Sequence, residues 1–423
     1  METLTSVNTC KRLIQIYQRL LEGIRGDVRV AQALQKRPLT ADKIVLLATG
    51  KAAASMARGA VQVLGERIID ARVVTRHDHC DGIKEQPGIH CIEAGHPLPD
   101  MHSLKAGEDL RDWLSCLPAD ADLLVLTSGG TSALIECLPA PTPLKNLVRL
   151  NQWLLSGGLS IQTMNRIRQS VSCIKGGGLL ACVPPNIAIE HLVLSDVPDD
   201  DLAVIGSGLF VPKSSSAPAK EEIPILPDWI LSMQEAALSC RSFQHKNIRI
   251  NHQIIASNTL ACEQLVLLGG EMGMTVHRHL EPLEGDAVVQ GKLIADYLQQ
   301  TTEAGLHIWG GETTMTLPVK PGRGGRNQHL ALVVAQELAG SLNIVLLAAG
   351  TDGTDGPTDD AGAIVDGSTV HRGEEQGMNL QSALQQRDSG SFLEAAGDLI
   401  STGITGTNVM DIVLAFKQGD QSL

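Results

Sequence analysis

Four aspartates near the C-terminal end of the chain are the residues best suited to bind a hard cation. They follow an apolar run at residues 344–349, in a glycine-rich loop that carries Asp352, Asp355, Asp359 and Asp360. A buried strand that ends in such a loop is typical of a ligand site at the edge of a sheet. Carboxylate oxygens suit Mg²⁺, and glycines let a ligand approach the backbone. We predict that Asp352 and Asp355 hold Mg²⁺; the alternative is an acidic surface loop.

A glycine turn near residue 130 is the candidate phosphate-binding loop. It follows an apolar run at residues 123–126 and precedes a short predicted helix. Backbone N–H groups and hydroxyls at such a turn can hold a phosphate. The candidate residues are Ser128, Gly129, Gly130, Thr131 and Ser132. A glycine turn between a strand and a helix is equally common without a ligand, so the sequence leaves both interpretations open.

Cationic side chains stand beside glycines at three further turns. Lys51 follows a glycine between a predicted strand and an Ala-rich helix, where it would point at an anionic substrate; the alternative is a solvated surface lysine. Lys175 precedes three glycines and could either reach a phosphate or cap a helix end. Arg323 and Arg326 lie in the segment GRGGRNQ, and a planar guanidinium there could bind two oxygens of a phosphate or carboxylate. Of these two arginines we favour Arg326.

Single carboxylates end two other predicted strands. Asp196 and Glu312 are each candidates for a metal ligand or a general base, and each could equally be the N-cap of the next helix. We choose Asp196 as the general base. The group His77, His79 and Cys80 also resembles a metal site, but no second set of ligands follows at a suitable spacing. We interpret that group as structural.

The alternation of apolar strands, glycine loops and helices predicts an α/β protein. Aromatic residues are only 2% of a chain that is 43% hydrophobic, so the core must consist of Ala, Val, Ile and Leu, as in parallel strands covered by helices. At 423 residues the chain is long for one core. Residues 210–228 are rich in Pro and Ser and form the predicted linker, which ends an N-terminal domain of residues 1–228 and precedes a C-terminal domain of residues 229–423. The alternative is a long surface loop.

Composition also excludes several classes of partner. The net charge of −13 and the absence of a long basic run argue against nucleic acid. The nine cysteines contain no CxxC, which indicates free thiols in a reducing compartment. No apolar run has transmembrane length and the start lacks a signal-peptide pattern, so we predict a cytoplasmic protein without a membrane partner. The absence of GxxxxGK[ST] excludes a Walker loop, and the absence of GxGxxG at a strand-to-helix turn argues against an NAD site.

Taken in order, the segments that carry these residues resemble the signatures of the class II glycerate 2-kinases, whose C-terminal part is the MOFRL domain. The segments are GKAA at 50–53, EAGHPLPD at 93–100, SGGTSAL at 128–134, NRIRQSVSCIKGG at 165–177, LSDVPDDD at 194–201, GGETT at 310–314, GRGGRNQ at 322–328, GTDGTDGPTDDAGA at 350–363 and TGITGTNVMDI at 402–412. They extend over nearly the whole chain.

The resemblance implies phosphorylation of D-glycerate by ATP at the 2-hydroxyl, assisted by Mg²⁺, to give 2-phosphoglycerate. It also implies an N-terminal Rossmann-like parallel sheet, a smaller MOFRL-type α/β domain and a cleft between them. The family's catalytic lysine falls on Lys51 and its arginine on Arg326, and we expect both to face that cleft. ATP phosphates would lie in the loop of residues 128–132, with D-glycerate and ATP as the partners and a homodimer as a possible assembly.

The chain departs from the family pattern at a few positions. His329 stands where the family usually has Glu, and Leu209 and Ile404 replace prolines. We expect the two proline changes to affect loop rigidity only, whereas His329 bears on substrate preference. Two other functions stay open at this point. One is an NAD(P)H-dependent hydroxypyruvate reductase, a name often given to members of this family, and the other is a metabolite sensor on the same fold.

Overall fold

The computed structural model describes residues 2–80, 82–157, 159, 161–211, 224–240 and 249–419. Most of the predicted linker, residues 210–228, therefore lies outside the described residues. The strands are β1 (Ile44–Thr49), β2 (Ile68–Arg76), β3 (Ile89–Ala94), β4 (Asp122–Thr127), β5 (Ala188–Leu194), β6 (Arg249–Ala256), β7 (Val276–Arg278), β8 (Gly305–Gly311), β9 (Ile344–Gly350), β10 (Gly362–Asp366), β11 (Leu399–Ile400) and β12 (Asp411–Lys417).

Helices occur between most of the strands, as the alternating sequence pattern predicts. They are α1 (Glu2–Ile24), α2 (Gly26–Lys36), α3 (Ala53–Leu64), α4 (Met101–Ser115), α5 (Thr131–Leu134), α6 (Leu144–Ser156), α7 (Ile161–Val171), α8 (Asp228–Cys240), α9 (Asn258–Glu271), α10 (Ala287–Gln300), α11 (Arg326–Glu337), α12 (Thr369–Glu375), α13 (Leu380–Gln386) and α14 (Ser389–Ala396). Within the described residues, no helix is long and apolar enough to cross a membrane.

The chain divides into two compact units, Gly26–Ile255 and a second unit of Met1–Arg25 with Ala256–Leu423. This division differs from the predicted boundary between residues 228 and 229. Helix α8 packs on α7 through an apolar cluster that includes Val171, Ile230 and Met233, and β6 adds a strand to the first sheet. Both elements therefore belong with the residues before them, and the proline-rich segment does not mark the boundary.

The first unit contains a six-stranded sheet in the order β3-β2-β1-β4-β5-β6. The pairs among β1 to β5 are all parallel. This order is that of the doubly wound Rossmann fold, so the predicted Rossmann-like sheet is confirmed. Strand β1 is buried along its whole length, which explains its uninterrupted apolar sequence. Helices α2 and α3 pack closely because Gly59 has no side chain; a Cβ there would lie 2.3 Å from the Asp27 carbonyl oxygen.

The second unit contains a mixed sheet in the order β11-β10-β9-β12-β8-β7. Strand β12 is antiparallel to both β8 and β9, and β9 is antiparallel to β10. The sequence pattern had indicated parallel strands here, but among the strand pairs of this sheet in the described residues only β7 and β8 are parallel. Buried strands at the centre of an antiparallel sheet have the same continuous apolar sequence, so the pattern does not distinguish the two arrangements.

The structure corrects the expectation that every cysteine is a free thiol. Cys173 and Cys240 form a disulfide. Cys173 lies just after α7 and Cys240 ends α8, and the packing of these two helices brings together cysteines that are 67 residues apart. No sequence motif predicts this disulfide, because the two cysteines meet only through the tertiary packing of the helices.

Candidate active site

The first unit has its candidate site at the centre of its sheet. Strands β1 and β4 are neighbours there, and Thr49 at the end of β1 pairs with Thr127 at the end of β4. The strand order reverses between these two strands. In open α/β sheets, ligands bind where the order reverses, beyond the carboxyl ends of the strands. The segments that follow β1 and β4 are the predicted lysine turn and the predicted glycine loop.

Hydrogen bonds join these two segments into one structure. The Lys51 N–H donates to the Gly129 carbonyl at 2.9 Å, and the Ser128 N–H donates to the Thr49 carbonyl at 2.9 Å. The Ala52 N–H donates to Ser128 Oγ at 3.0 Å. Gly50 has a φ of 112°, and a Cβ there would lie 2.4 Å from the Ser128 carbonyl oxygen. Only glycine allows this approach, which explains the GK pair at the end of β1.

Lys51 and His96 both lie against Gly130. A Cβ added to Gly130 would lie 3.2 Å from Lys51 Cγ and 2.8 Å from His96 Nε2. Lys51 is half-buried and precedes α3, a helix of 12 residues whose amino end lies at this edge of the sheet. A lysine at the amino end of a helix, beside backbone without side chains, forms an environment suited to a phosphate or carboxylate.

The hydroxyls predicted to bind phosphate stabilise the loop instead. Ser128 and Thr131 are fully buried. Ser128 Oγ donates to the Thr49 carbonyl at 3.2 Å, and Thr131 Oγ1 donates to the Ser128 carbonyl at 2.8 Å. Ser132 Oγ is 2.7 Å from Ser207 Oγ. The helix behind the loop, α5, has only four residues and adds little dipole. Of the two glycines, Gly129 is buried and Gly130 is half-buried, so Gly130 supplies the accessible surface and the hydroxyls fix the shape of the loop.

Lys175 lies beneath this loop and does not face a ligand. Its side chain is 3% exposed, and its Nζ is 2.6 Å from Glu136 Oε2, which belongs to a side chain 1% exposed. The same Nζ donates to the Ser132 carbonyl at 2.9 Å, and Ser172 Oγ donates to Glu136. The Lys175 ammonium is already paired with a buried carboxylate. We therefore reassign Lys175 from a phosphate ligand to a residue that supports the glycine loop.

Asp196 follows β5, the neighbour of β4, so it lies after a strand at the same edge of the sheet. It is half-buried. A hydrogen bond joins β4 and β5 near this edge, where Thr127 Oγ1 at the end of β4 is 2.9 Å from Nε2 of His191 in β5. The general-base role of Asp196 stays a prediction.

The second unit has its candidate site around Arg326, the first residue of α11. Arg326 Nε is 2.6 Å from Asp411 Oδ2 and Nη2 is 2.9 Å from Asp411 Oδ1, a bidentate pair. Arg326 Nη1 is 2.8 Å from Glu312 Oε1. Asp411 is 3% exposed, whereas Glu312 is 41% exposed. Burial alone would lower the pKa of Arg326, but the hydrogen bonds and charge of Asp411 and the charge of Glu312 raise it well above its ordinary value.

The aspartates of the loop after β9 have different structural roles. Asp355 caps α11: its Oδ1 accepts from the Asn327 N–H at 3.1 Å and its Oδ2 from the Gln328 N–H at 2.8 Å. Burial raises the pKa of Asp355 to about 7, although these amides favour its ionised form. Asp360 Oδ2 is 2.8 Å from Arg323 Nη2, so the first arginine of the glycine segment takes part in a structural ion pair. Asp359 is exposed.

These contacts test the predicted Mg²⁺ site. Asp355 does not fit a metal ligand, because it is 1% exposed and both of its oxygens accept backbone N–H groups. Asp352 is half-buried, and its Oδ1 accepts from the N–H and the hydroxyl of Thr354, each at 3.2 Å. Among the described residues, no three carboxylates of this region lie close enough together to share one ion. Asp352 is the aspartate of the predicted pair that is compatible with a cation.

Three residues of these sites were not predicted. Glu136 and Asp411 are buried acids within apolar segments, and a lone acid in such a context is a signal that it has a cationic partner. Asp411 begins an antiparallel strand, so the rule that ligands follow the carboxyl ends of parallel strands could not find it. His96 lies in the GHPLPD segment, and its position against Gly130 depends on the tertiary fold.

His329 is 1% exposed, and its Nδ1 is 2.7 Å from Ser389 Oγ, so it belongs to the core.

Comparison with known proteins identifies the family of this chain. Residues 12–235 match a domain of unknown function, DUF4147, and residues 305–411 match the MOFRL family. A D-glycerate 2-kinase from Thermotoga maritima is 35% identical over 415 residues, which cover 96% of this chain and 97% of that protein. This chain belongs to the glycerate 2-kinase family.

A solved structure supports the membership. A crystal structure of a glycerate kinase from Thermotoga maritima matches this chain with a TM-score of 0.85 at 34% identity, and covers 96% of this chain and 99% of that one. A relative from Agrobacterium vitis has the provisional name hydroxypyruvate reductase. It is 30% identical to this chain, and the match covers 97% of this chain and 95% of that protein. The family is therefore established, and its members bear names for two different reactions.

Proposed function

We propose that this protein transfers the γ-phosphoryl group of ATP to the 2-hydroxyl of D-glycerate and releases 2-phosphoglycerate and ADP. The observation that carries the proposal is the pair of loops at the strand-order reversal, which sets Lys51 beside Gly130 at the amino end of α3. This arrangement suits a polyanionic substrate. The names of the relatives, D-glycerate 2-kinase and glycerate kinase, support the choice of reaction.

In the proposed step, the oxygen of the 2-hydroxyl attacks the γ-phosphorus and forms a new P–O bond. The bond between that phosphorus and the β,γ-bridging oxygen breaks, and ADP takes the electron pair. The hydroxyl proton passes to a carboxylate, for which Asp196 is our candidate, and then to solvent. Phosphoryl transfer needs positioning and charge neutralisation more than covalent chemistry, so cationic residues carry most of the catalytic effect.

Lys51 would neutralise an anionic group of the substrates, either the glycerate carboxylate or a phosphate oxygen. Arg326 would stabilise charge on the transferring phosphoryl group. The buried Asp411 fixes the orientation of the Arg326 guanidinium. Arg326 Nη1 pairs with the more exposed Glu312, and a phosphate oxygen can replace that carboxylate. Lys51 and Arg326 belong to separate units, and each role is tested by its own variant.

A kinase of this family uses ATP as the phosphate donor, and the proposal adds Mg²⁺. Mg²⁺ would arrive on the ATP phosphates, with Asp352 as its protein ligand, and would neutralise the charge of those phosphates. Proteins commonly bind Mg²⁺ through one or two carboxylates and substrate phosphates, with water in the other positions. The cytoplasmic location and the homodimer also stay predictions from the sequence.

The second candidate is hydroxypyruvate reduction by NAD(P)H. Two observations favour it: the strand order of the first sheet is that of dinucleotide-binding domains, and relatives from Agrobacterium vitis bear that name provisionally. The turn after β1, however, carries Lys51 where a dinucleotide site has a glycine-rich fingerprint. A lysine at this turn suits phosphoryl transfer better than a dinucleotide site, where backbone N–H groups of a glycine-rich turn bind the pyrophosphate.

The Lys51→Met variant tests the proposal against a matched control. Purified protein with D-glycerate, ATP and MgCl₂ should release ADP, and Lys51→Met should lower kcat/KM by roughly 10²-fold or more, as for loss of one preorganised charge-stabilising group. Lys145→Met, which removes an exposed lysine of α6, should leave the rate unchanged. A Lys51→Met enzyme that is folded by circular dichroism and fully active would contradict the assignment.

A further inference from the structure

Two histidines converge on one carboxylate oxygen at the end of β2. His77 directly follows that strand, while Asp100 is the N-cap of α4 and His102 is the second residue of that helix. Asp100 Oδ2 is 2.9 Å from His77 Nε2 and 3.4 Å from His102 Nδ1. The three ligand atoms all lie within 4.8 Å of one another. The sequence analysis grouped His77 with His79 and Cys80 and interpreted that group as structural, whereas the fold brings His77 together with Asp100 and His102.

The carboxylate is held in place by its role at the helix terminus. Asp100 Oδ1 accepts from the Ser103 N–H at 2.9 Å and from Ser103 Oγ at 3.2 Å, and Ser103 Oγ accepts from the Asp100 N–H at 3.0 Å. This capping box uses Oδ1, and Oδ2 is the atom that the histidines contact. A ligand that is oriented by hydrogen bonds to its other atoms is typical of metal sites.

The spacing of the ligand atoms fits a transition metal. With metal–ligand bonds of 2.0–2.2 Å, ligand atoms of a tetrahedral zinc site are separated by about 3.3 Å. The distances from Asp100 Oδ2 to the two histidine nitrogens, 2.9 and 3.4 Å, lie on either side of this separation, so small movements of the side chains would admit an ion. Two imidazoles and one carboxylate also form a ligand set that selects zinc or iron rather than Mg²⁺, which prefers oxygen ligands.

The surroundings leave room for a further ligand. His102 also lines a cavity of about 370 Å³, together with Arg72, His90 and Lys105. Three protein ligands leave at least one coordination position for water or an anion. The lining also contains the carboxylates Glu93 and Asp109, so its charges are mixed and water is the simplest further ligand.

We propose that His77, Asp100 and His102 bind one divalent transition-metal ion, with water or a small anion completing its coordination. The site is separate from the Mg²⁺ that accompanies ATP, and it does not depend on the proposed kinase activity. A bound ion would join the end of β2 to the start of α4. It would thereby fix both ends of a segment that contains His96, the residue that lies against Gly130.

Zinc binding to protein without a polyhistidine tag tests the site. After removal of metals with EDTA and dialysis, titration calorimetry with ZnCl₂ should give one tight equivalent, and Co²⁺ should produce a visible absorption band. His77→Gln and His102→Gln should each weaken Zn²⁺ binding at least tenfold, because each removes one of three ligands. Asp100→Asn should also weaken it while the helix cap is retained, since Asn is a good N-cap.

His371→Gln is the matched control, because it removes an exposed histidine that pairs with a carboxylate, Glu375 at 3.3 Å. It should bind Zn²⁺ as tightly as the unmodified protein. Circular dichroism of every variant checks the fold. Absence of a stoichiometric equivalent in the unmodified protein would overturn the proposal. Equal affinity in the His77→Gln, His102→Gln double variant would also overturn it, because the ion would then lie elsewhere.

Discussion

At the scale of single residues, the role proposed for Arg326 depends on how its guanidinium is held. Its two carboxylate partners differ in burial: Asp411 is 3% exposed and Glu312 is 41% exposed. A buried bidentate partner determines the direction of the guanidinium, while an exposed partner can be exchanged for a substrate oxygen. The proposed role therefore requires both the charge and the planar shape of the side chain.

Arg326→Lys keeps the charge and loses the fork. We expect kcat for ATP-dependent phosphorylation of D-glycerate to fall by roughly 10²-fold or more, the usual cost of one preorganised transition-state donor. The KM for glycerate should change less. Arg323→Lys is the control from the same glycine segment, since Arg323 pairs with Asp360 and Glu394 and should tolerate the change. A variant with higher KM and intact kcat would make Arg326 a carboxylate clamp.

Asp352 and Asp355 lie three residues apart and should respond differently to the same substitution. Asp352→Asn should raise the Mg²⁺ concentration needed for half-maximal rate and leave the thermal unfolding temperature unchanged. Asp355→Asn should lower that temperature, because it removes an oxygen that accepts a buried N–H of α11, at a cost of roughly 1–3 kcal/mol. Rates as a function of MgCl₂ and calorimetric unfolding measure both. An unchanged Mg²⁺ requirement in Asp352→Asn would exclude it as a ligand.

At the scale of elements, the glycine loop after β4 rests on the buried pair of Lys175 and Glu136. Removal of one member leaves an uncompensated buried charge, and such changes cost roughly 3–5 kcal/mol. Lys175→Met should therefore destabilise the protein by about that amount in urea unfolding. Adding Glu136→Gln should restore part of the loss. If the double variant were less stable than Lys175→Met alone, the pair would not act as a compensated ion pair.

Strand β5 contributes a pH dependence through His191. Burial and the charge of His252 lower the pKa of His191 to about 3. His191 is held between Thr127 Oγ1 and His252 Nδ1, each 2.9 Å from a ring nitrogen. The unfolded chain then binds a proton that the folded chain does not bind, between the unfolded pKa of about 6.5 and the folded value. Stability from this group is complete above the unfolded pKa and is lost as the pH falls.

His191→Gln should reduce that loss. By linkage, one such histidine costs about 1 kcal/mol of unfolding free energy between about pH 7 and about pH 5.5. Urea unfolding at the two pH values, compared between the unmodified protein and His191→Gln, measures the difference. The exposed His371 provides the control, because His371→Gln should retain the full pH dependence. The same pH dependence in both variants would show that His191 does not contribute.

At the scale of the whole molecule, the sequence predicts what depends on local pattern. The sequence pattern correctly predicts an α/β protein with a Rossmann-like first sheet, because buried strands, glycine turns and helices alternate visibly along the chain. It did not give the antiparallel course of β12, because an apolar run has the same appearance in either direction. Consequently Asp411, the buried partner of Arg326, was not among the predicted site residues.

The same limit applies to residues that were predicted but have other roles. Lys175 and Asp355 have the right chemistry and the right neighbours in sequence, yet the fold uses them for a buried ion pair and a helix cap. Residue type shows which interactions are available, while tertiary packing decides which partner takes them. Lys51 and Arg326, by contrast, follow glycine turns at the edges of sheets, and those turns are legible in the sequence.

The most direct measurement of the central claim is the identity of the phosphorylated product. Purified protein is incubated with D-glycerate, ATP and MgCl₂, and the products are examined by ³¹P NMR and by addition of enolase, which accepts 2-phosphoglycerate but not 3-phosphoglycerate. We predict ADP and 2-phosphoglycerate in equal amounts, with no oxidation of NADH or NADPH when hydroxypyruvate replaces the kinase substrates. Oxidation of the reduced nucleotide by hydroxypyruvate without any turnover of ATP would contradict the account.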